Sequence, residues 1–261
     1  MGKNFTYVPG AEFPYQYKYE HMAVTTDCVI FTYEDWKLKV LLVRRGGEPY
    51  KGQWAFPGGF LKMDETAREG ALRELREETA LEPSAIGQLG VFSAVDRDPR
   101  ERVITIAWYA LVKPSEVVGG DDAAEAAWFP VDALPPLAFD HREIFETAME
   151  QLRRDIHFQP VGFDLLDDEF TIPDLQRLYE AILGVKFDRR NFQRKLIASG
   201  ILENANGFEE AAEMCLDSLC IMQESSPSAP RKARQGRPGQ LFRLNRKKYD
   251  EMKEDGGKLE F

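Results

Sequence analysis

The chain has 261 residues, of which 43% are hydrophobic and 30% charged, a composition typical of a folded protein of one or two domains. Its 34 lysines and arginines against 44 aspartates and glutamates leave a net charge of −10, which argues against a general polyanion binder. No apolar run is long enough to span a membrane, and the start of the chain lacks the apolar core of a signal peptide. From the lack of such a run we expect no membrane association. Three cysteines without metal-binding spacing are typical of a reduced, cytoplasmic protein.

The first half of the chain is predicted to be an α/β unit behind an extended N-terminal arm over residues 1–20. Short stretches rich in Val, Ile, Thr and Phe predict strands, whereas apolar residues at steps of three and four predict helices. The predicted strands span residues 22–33, 38–45, 54–56, 86–95, 103–113 and 126–129. One predicted helix is capped by Asp64 and runs through about Thr79, and a second covers 141–158.

The segment between the third strand and the first helix carries the strongest chemical signal. Gly58 and Gly59 are expected to form a flexible corner, where positive φ costs little. Glu65 follows Gly59 after five residues, and seven residues later comes the run RELREE. Three glutamates of that run share one helix face, namely Glu74, Glu77 and Glu78. Like charges at this spacing repel by roughly 0.2–0.5 kcal/mol per pair, so the face suits a hard divalent cation such as Mg²⁺ or Mn²⁺. An exposed acidic face is the alternative.

This spacing resembles the Nudix box, G-x5-E-x7-R-E-U-x-E-E-x-G-U, in which U is a bulky apolar residue. Every fixed position matches except one, because Ala80 stands where the family has glycine. That position ends the helix and normally favours positive φ, which costs a non-glycine residue about 1 kcal/mol. We expect Arg73 to pair with Glu69 or Glu77 and hold the cluster in place, and we assign Arg73, Glu77 and Glu78 to the catalytic set.

Further charged residues are candidates for contacts with a ligand, and each has an ordinary surface role as its alternative. Two arginines end the second strand near the box, and two more lie in a charged turn that could equally close a hairpin. Together with a box glycine, the predicted ligand-binding residues are Arg44, Arg45, Gly59, Arg97 and Arg100.

An acidic loop before the tryptophan-bearing strand offers Asp121, Asp122 and Glu125 as a general base or an outer metal ligand, or as solvated loop residues. The pair Asp140–His141 opens the second predicted helix. It could do acid–base work, but the position favours Asp140 as the helix cap.

The second half, from Pro160, is predicted to hold a helix-turn-helix. Thr171 begins one helix with a capping box, and Gly184 ends it. Asp188 caps a second, basic helix over 189–199. Arginine and asparagine are suited to reading guanine and adenine edges in the major groove. The predicted DNA-binding residues of this helix are Arg189, Arg190, Asn191, Arg194 and Lys195.

A hairpin that pairs 201–203 with 241–244 would form the wing of a winged helix. Arg234 and Arg237 lie in this wing, where they would meet phosphates or the minor groove. We predict that the segment 205–230 is an insertion that ends in a Ser- and Pro-rich, partly disordered linker. Each basic patch alone is compatible with a solvated surface, but the two in this order favour DNA binding.

A Nudix box followed by this winged helix resembles the NrtR family, the Nudix-related transcriptional regulators of NAD metabolism. The matching stretches are the box, DRDPRERV, LAFDHREI, DRRNFQRKLIASGIL and GRPGQLFRL. The resemblance implies a Nudix α/β/α sandwich with a mixed sheet over 21–158 and a winged-helix DNA-binding domain over 159–261. It also implies a homodimeric repressor that binds double-stranded operator DNA and is weakened by ADP-ribose or a related nucleoside diphosphate sugar.

The three retained glutamates raise the expectation that the chain is also an enzyme, a pyrophosphatase that converts ADP-ribose to AMP and ribose 5-phosphate. Two alternatives stay open at this point. One is a plain Nudix pyrophosphohydrolase without DNA binding, and the other is a catalytically silent, sugar-sensing regulator.

Overall fold

A computed structural model describes residues 5–7, 15–17, 20–117, 123–158, 161–205 and 240–254. The strands are β1 (Phe5–Tyr7), β2 (Tyr15–Tyr17), β3 (Ala23–Glu34), β4 (Lys37–Arg45), β5 (Trp54–Ala55), β6 (Gly58–Phe60), β7 (Gly87–Phe92), β8 (Val103–Leu111), β9 (Ala123–Pro130), β10 (Leu202–Asn204) and β11 (Phe242–Leu244). The helices are α1 (Ala67–Thr79), α2 (His141–Phe158), α3 (Val161–Asp164), α4 (Ile172–Leu183), α5 (Arg189–Ala198) and α6 (Arg246–Glu254).

The central sheet is mixed. Its main path runs β5–β4–β3–β8–β7, while β6 pairs with β3 and β9 pairs with β4. Strands β3 and β8 are parallel, and the other pairs are antiparallel. Nine consecutive residues of β3 are buried, because both faces of the sheet are covered at its centre.

Helices α1 and α2 cover opposite faces of this sheet. Successive side chains of a strand point to opposite faces, so the residues of β3 divide between two apolar layers. The layer under α1 contains Cys28, Ile30, Leu41, Ala71 and Leu75. The layer under α2 contains Val29, Phe31, Val40, Ile144, Ala148 and Leu152. The expected sandwich with a mixed sheet is therefore confirmed.

The C-terminal helices form the predicted helix-turn-helix. The Thr171 side chain accepts a hydrogen bond from the backbone N–H of Asp174, whose carboxylate accepts one in return from the Thr171 N–H. Gly184 ends α4 at φ 70°, and Asp188 caps α5 through the N–H of Asn191. Strands β10 and β11 pair antiparallel, as expected for the base of a wing. The wing tip and most of the insertion lie outside the described residues.

The sheet and the helix-turn-helix share one apolar core. Side chains of α4, among them Leu178 and Ile182, belong to the same buried cluster as Leu152 of α2 and Leu38 of β4. At its edge, the guanidinium of Arg177 lies 4.3 Å from the Trp36 ring. Helix α4 therefore packs directly against α2 and β4 of the N-terminal domain.

The start of α1 differs from the prediction. Thr66, not Asp64, is the N-cap: its side chain accepts from the Glu69 N–H, and the Glu69 carboxylate accepts from the Thr66 N–H. Both orphan N–H groups are satisfied by this reciprocal pair, which needs an acidic residue three positions after the cap. Of the two alternative partners expected for Arg73, Glu69 is therefore not the one used, because the Glu69 carboxylate serves the cap.

The end of α1 has the strained conformation expected from its sequence. Ala80 adopts φ 60° and ψ 14°, and its N–H donates to the Arg76 carbonyl. The left-handed conformation costs an L-residue roughly 1–2 kcal/mol, and a glycine there loses roughly 0.4–1 kcal/mol through the entropy of the unfolded chain. Ala80→Gly is therefore expected to raise the free energy of unfolding by about 0.5–1 kcal/mol in urea denaturation.

The matched control is Ala67→Gly at the other end of α1, where the dihedrals are right-handed. That change should lower the free energy of unfolding by roughly 0.5–1 kcal/mol. Equal destabilisation by both substitutions would show that the left-handed position imposes no strain.

Candidate functional site

A cavity of about 690 Å³ opens beside the parallel strand pair, within the size range of ligand-binding pockets. Its wall combines strands, the first helix, the charged turn after β7 and the residues that begin α2. The residues that line it include Thr25, Asp27, Arg44, Arg45, Phe56, Gly58, Gly59, Phe60, Glu74, Glu78, Arg97, Asp98, Arg100, Phe139 and His141.

Gly58 and Gly59 belong to strand β6 and do not form the expected corner with positive φ. They pair with Asp27 and Thr26 of β3. A Cβ on Gly58 would overlap the Thr26 carbonyl and lie 2.7 Å from Asp27 Oδ1, and one on Gly59 would lie 2.6 Å from the Glu74 carboxylate. Glycine is needed because the backbone passes closely between β3 and α1, not because the chain turns.

Arg73 organises the acidic residues of the box. Its guanidinium donates to Glu65 at 2.6 and 2.8 Å, to Glu74 at 2.7 Å and to Glu77 at 3.0 Å. The expected pairing with Glu77 is confirmed, and Glu65 and Glu74 are additional partners. The hydrogen bonds from Arg73, with one from the Lys62 N–H, lower the pKa of Glu65 to about 2. Arg73 thus keeps Glu65 ionised and ties Glu65, Glu74 and Glu77 together in fixed positions.

The three predicted metal ligands do not converge. Glu74 and Glu78 line the cavity, and Glu78 is positioned by a 2.9 Å hydrogen bond from the Gly58 N–H. Glu77, half exposed, also pairs with Arg73 but is not among the residues that line the cavity. Within the described ranges, no three His, Cys, Asp or Glu side chains meet closely enough to hold a metal ion.

The carboxylates of Glu74 and Glu78 lie beside the backbone of Gly58 and Gly59, which carry no side chains. These carboxylates still offer the oxygen donors that a hard cation prefers. Water and ligand phosphate oxygens can complete such a coordination shell, so the donor set fits a divalent cation. That Glu77 also binds the cation stays a prediction.

The two arginines at the end of β4 reach the cavity. Arg44 is half exposed and donates from Nε to the Gly52 carbonyl at 3.1 Å. Arg45 donates to the Pro49 carbonyl at 2.9 Å, and its guanidinium lies 4.7 Å from the Phe139 ring. Burial, and then the charge of Arg100, lower the pKa of Arg45. A pair of cations held near each other favours a bound anion.

The arginines of the charged turn divide into a structural and a more accessible one. Arg97 is buried and makes a bidentate ion pair with Asp140 at 2.8 Å for both contacts. Arg100 pairs with Asp98, and its guanidinium lies 5.3 Å from the exposed Phe60 ring. Of the two, Arg100 is better placed to meet a ligand phosphate.

The residues that begin α2 agree with the favoured expectation in position, but the Asp140 side chain has a different partner. Asp140 occupies the N-cap position, since its carbonyl accepts from the Glu143 and Ile144 N–H groups, but its carboxylate binds Arg97. His141 is buried, stacks on Phe56 and accepts a hydrogen bond at Nδ1 from the Phe56 N–H. Burial lowers the pKa of His141 and keeps the imidazole neutral. The two side chains therefore do not form an acid–base pair.

The predicted general base is not at the cavity wall. Glu125 lies opposite Arg44 in the β4–β9 ladder, and its carboxylate is 3.7 Å from the Arg44 guanidinium. Its role as a base or outer ligand stays a prediction. Asp121 and Asp122 lie outside the described residues.

Several lining residues carried no expectation from the sequence, among them Thr25, Asp27, Phe60 and Phe139. Asp27 had the clearest signal, since a carboxylate within a predicted strand rich in Val, Ile, Thr and Phe requires a partner or a function if it is buried.

Comparison with known proteins identifies both halves of the chain. A model of the NUDIX domain matches residues 22–148, and a model of the NrtR DNA-binding winged helix domain matches residues 162–213. The crystal structure of Shewanella oneidensis NrtR complexed with a 27mer DNA has 30% sequence identity and a TM-score of 0.66, covering 87% of this chain and 95% of that chain. The chain belongs to the NrtR family.

Two curated relatives of this NrtR-family chain extend the comparison. The ADPR responsive transcriptional repressor NtrR of Acinetobacter baylyi is 28% identical over 89% of this chain and 86% of its own. An ADP-ribose pyrophosphatase of Methanocaldococcus jannaschii is 44% identical over 50% of this chain and 75% of its own. The first match spans both domains, and the second spans 131 residues, about the length of the Nudix domain alone.

The winged helix of this NrtR-family chain presents a basic surface on α5. Phe192 and Leu196 are buried against α4. The exposed residues of α5 include Arg189, Arg190, Arg194 and Lys195. Asn191, half-buried, accepts a hydrogen bond from Arg194 at 2.7 Å. Arg234 and Arg237 lie outside the described residues, so their part in DNA binding stays a prediction.

No helix in the described part of the chain is long and apolar enough to cross a membrane.

Proposed function

We propose that this protein is an ADP-ribose-responsive transcriptional repressor whose Nudix domain also hydrolyses ADP-ribose to AMP and ribose 5-phosphate. The observation that carries the proposal is the pairing of a cavity lined by Glu74, Glu78 and cationic arginines with an exposed basic helix, α5. A protein with only one of these sites would be an enzyme or a DNA-binding module. Their presence in one packed chain supports a ligand-controlled regulator.

The cavity suits a nucleoside diphosphate sugar by its charges. Arg45 and Arg100, with Arg44 at the edge, supply positive charge for a pyrophosphate, and Arg is well suited to phosphate oxygens. Glu74 and Glu78 would hold the divalent cation, which we propose to be Mg²⁺ or Mn²⁺. When bound there, the cation would polarise a phosphoryl oxygen and activate water. Arg73 and the Gly58 N–H keep these carboxylates in place.

The DNA-binding side is proposed to use α5 as the recognition helix. Its exposed cations would contact phosphates and base edges in the major groove, with the wing arginines on the flanking backbone. A helix-turn-helix protein usually binds as a two-fold dimer to two half-sites, so we propose a homodimer on double-stranded operator DNA in the cytoplasm.

The shared core supplies a route for control. His141, at the cavity, is the first residue of α2, and Leu152 of the same helix packs in one cluster with Leu178 of α4. In addition, Arg153 donates to the Ile182 carbonyl at the end of α4. A ligand that shifts the start of α2 would therefore move the helix that supports α5.

A catalytically silent sensor is the second candidate. The orientation of Glu77 toward Arg73 and the strained Ala80 at the end of the box helix both favour it. Such a protein would bind the ligand and DNA but would not hydrolyse the ligand.

A gel shift on the promoter DNA beside its own gene tests these readings together. We expect a shifted band that ADP-ribose weakens, and recovery of AMP and ribose 5-phosphate when Mg²⁺ is present. If DNA binding responds to ADP-ribose but the ADP-ribose is recovered intact, the protein is a catalytically silent sensor. Failure to bind any promoter fragment, with active hydrolysis, would show a plain pyrophosphohydrolase.

A further inference from the structure

Helix α4 carries two polar side chains, one turn apart, that bind the backbone of the same residue. The Glu180 carboxylate accepts a hydrogen bond from the Phe187 N–H at 3.0 Å, and the Gln176 side-chain amide donates to the Phe187 carbonyl at 3.1 Å. The same amide donates to the Glu180 carboxylate at 2.9 Å. The two side chains therefore hold both backbone polar groups of Phe187, and we call them the Gln176–Glu180 clamp.

The carboxylate of the clamp is shielded from water and ionised. The Glu180 side chain is 9% exposed, and its second oxygen pairs with the exposed Lys186 ammonium at 2.7 Å. Burial raises the pKa of Glu180, but the hydrogen bonds that the carboxylate accepts, led by the one from Lys186, outweigh burial and lower the pKa. Hydrogen bonds to an ionised group are stronger than those between neutral groups, so the Phe187 N–H is held firmly.

Phe187 leads directly into α5. It precedes Asp188, the N-cap of this helix, and its ring packs on Phe192, the fourth helical residue, with the ring centroids 5.4 Å apart. A contact between the residue before the cap and the fourth helical residue is a hydrophobic staple, which fixes the angle at which the chain enters a helix. Phe192 also meets the ring of Tyr179 on α4 edge to face. The staple thus orients the start of α5, and the clamp ties the staple to α4.

The end of α5 that the clamp holds is the end suited to reading DNA. In helix-turn-helix proteins, the N-terminal residues of the recognition helix contact base edges. Arg189 and Arg190 occupy the first two positions of α5, and both are exposed. The helix dipole repels cations at a helix N-terminus, so these two arginines favour an electronegative partner such as a phosphate or a guanine edge.

We propose that the Gln176–Glu180 clamp positions the first turn of α5 against base edges, so that it determines the preference for the operator sequence and not the general affinity for DNA. This inference rests on the proposed function, in which α5 is the recognition helix. Base contacts require closely placed side chains, whereas attraction to phosphates depends on charge and carries no sequence information. Gln176 and Glu180 are positioning residues, because they act on DNA through α5.

The test is an anisotropy titration of the full chain with two labelled duplexes at one salt concentration. One duplex is the promoter DNA beside its own gene, and the other is a scrambled sequence of the same length and composition. The readout is the ratio of the two dissociation constants. Glu180→Ala is expected to lower this preference for promoter DNA about 10-fold, because a hydrogen bond to a charged group is lost. Its affinity for the scrambled duplex should stay the same or rise slightly, since a negative charge is removed.

Three further variants separate geometry from charge. Glu180→Gln removes the charge but keeps an oxygen that can accept from the Phe187 N–H, so it should keep the wild-type preference. Gln176→Ala loses only the contact to the Phe187 carbonyl and should lower the preference about 3-fold, the effect of one neutral hydrogen bond. Lys186→Ala is the matched control: it removes the ion-pair partner of Glu180 but neither contact to Phe187, so the preference should be retained.

The ratio distinguishes positioning from a purely structural role. Partial unfolding would weaken binding to both duplexes equally and leave the ratio unchanged, and melting curves identify any unfolded variant. If Glu180→Ala does not fold, Gln176→Ala provides the test. An unchanged ratio in the folded variants Glu180→Ala and Gln176→Ala would overturn the clamp, as would an equal loss of preference in Glu180→Gln and Glu180→Ala. A wild type that binds neither duplex, or both equally, would overturn the proposed DNA-binding function itself.

Discussion

Glu78→Gln is expected to slow ADP-ribose hydrolysis by roughly 10²–10³-fold, the loss typical when one group that stabilises transition-state charge is removed. Glu78 lines the cavity and is held by the Gly58 N–H at 2.9 Å, so glutamine keeps the shape and removes the charge. AMP release at saturating Mg²⁺ measures the effect. Affinity for operator DNA in the absence of ADP-ribose should not change, because the proposed DNA-binding surface is on α5 and Glu78 lies in the cavity.

The matched control for this prediction is Glu82→Gln, just beyond the same helix. Glu82 is exposed and pairs only loosely with Arg76 at 3.6 Å, so turnover should stay at the wild-type level. Equal turnover in Glu78→Gln and Glu82→Gln would show that Glu78 is not a metal ligand.

Glu77→Gln should abolish hydrolysis as well, if Glu77 leaves Arg73 when the cation binds. Its position one turn from Glu74 makes that movement a change of side-chain rotamer only. Surviving turnover in this variant would leave Glu77 as a partner of Arg73 and outside the metal site.

The largest effect on DNA binding is expected from the double change Arg190→Ala and Arg194→Ala. Both side chains are exposed on α5, opposite the buried Phe192 and Leu196. A good contact to a base edge contributes roughly 1–3 kcal/mol, so operator affinity should fall by about 10²–10³-fold. Titration of labelled operator at fixed salt measures this loss, and hydrolysis should be unaffected.

The charge-matched control is Arg142→Ala with Arg154→Ala on α2. Both of these arginines are exposed and make local contacts, with Glu146 and Gln151. The control removes the same two charges from another surface, so it should weaken DNA binding little. An equal loss in both double variants would mean that α5 is not the recognition surface.

Local chemistry made the helix-turn-helix predictable. Thr171 and Asp174 satisfy each other's backbone N–H across three residues, and the Asp188 carboxylate accepts from the Asn191 N–H. Such contacts depend on residues within one turn, so their spacing is visible in the sequence. The strain at Ala80 was predictable for the same reason, because a helix end requires its conformation whatever packs around it.

The cap of α1 shows where local signals compete. Asp64 and Thr66 are both good N-cap residues. The helix begins after Thr66, because only Thr66 has an acidic residue, Glu69, at the third position beyond it. The spacing from Thr66 to Glu69 is therefore the signal for this cap.

The sequence by itself determined the family, the order of the two domains and the residues that give the box its charge. The tertiary structure decided how the cavity is built. Arg97 meets Asp140 across 43 residues, and the Phe56 N–H meets His141 across 85. It also placed Glu78 at the cavity and turned Glu77 toward Arg73. The periodicity of a sequence indicates contacts within one helix or strand. These long-range pairs depend instead on strand register and on how α2 crosses the sheet. No spacing of residues in the chain signals either of them.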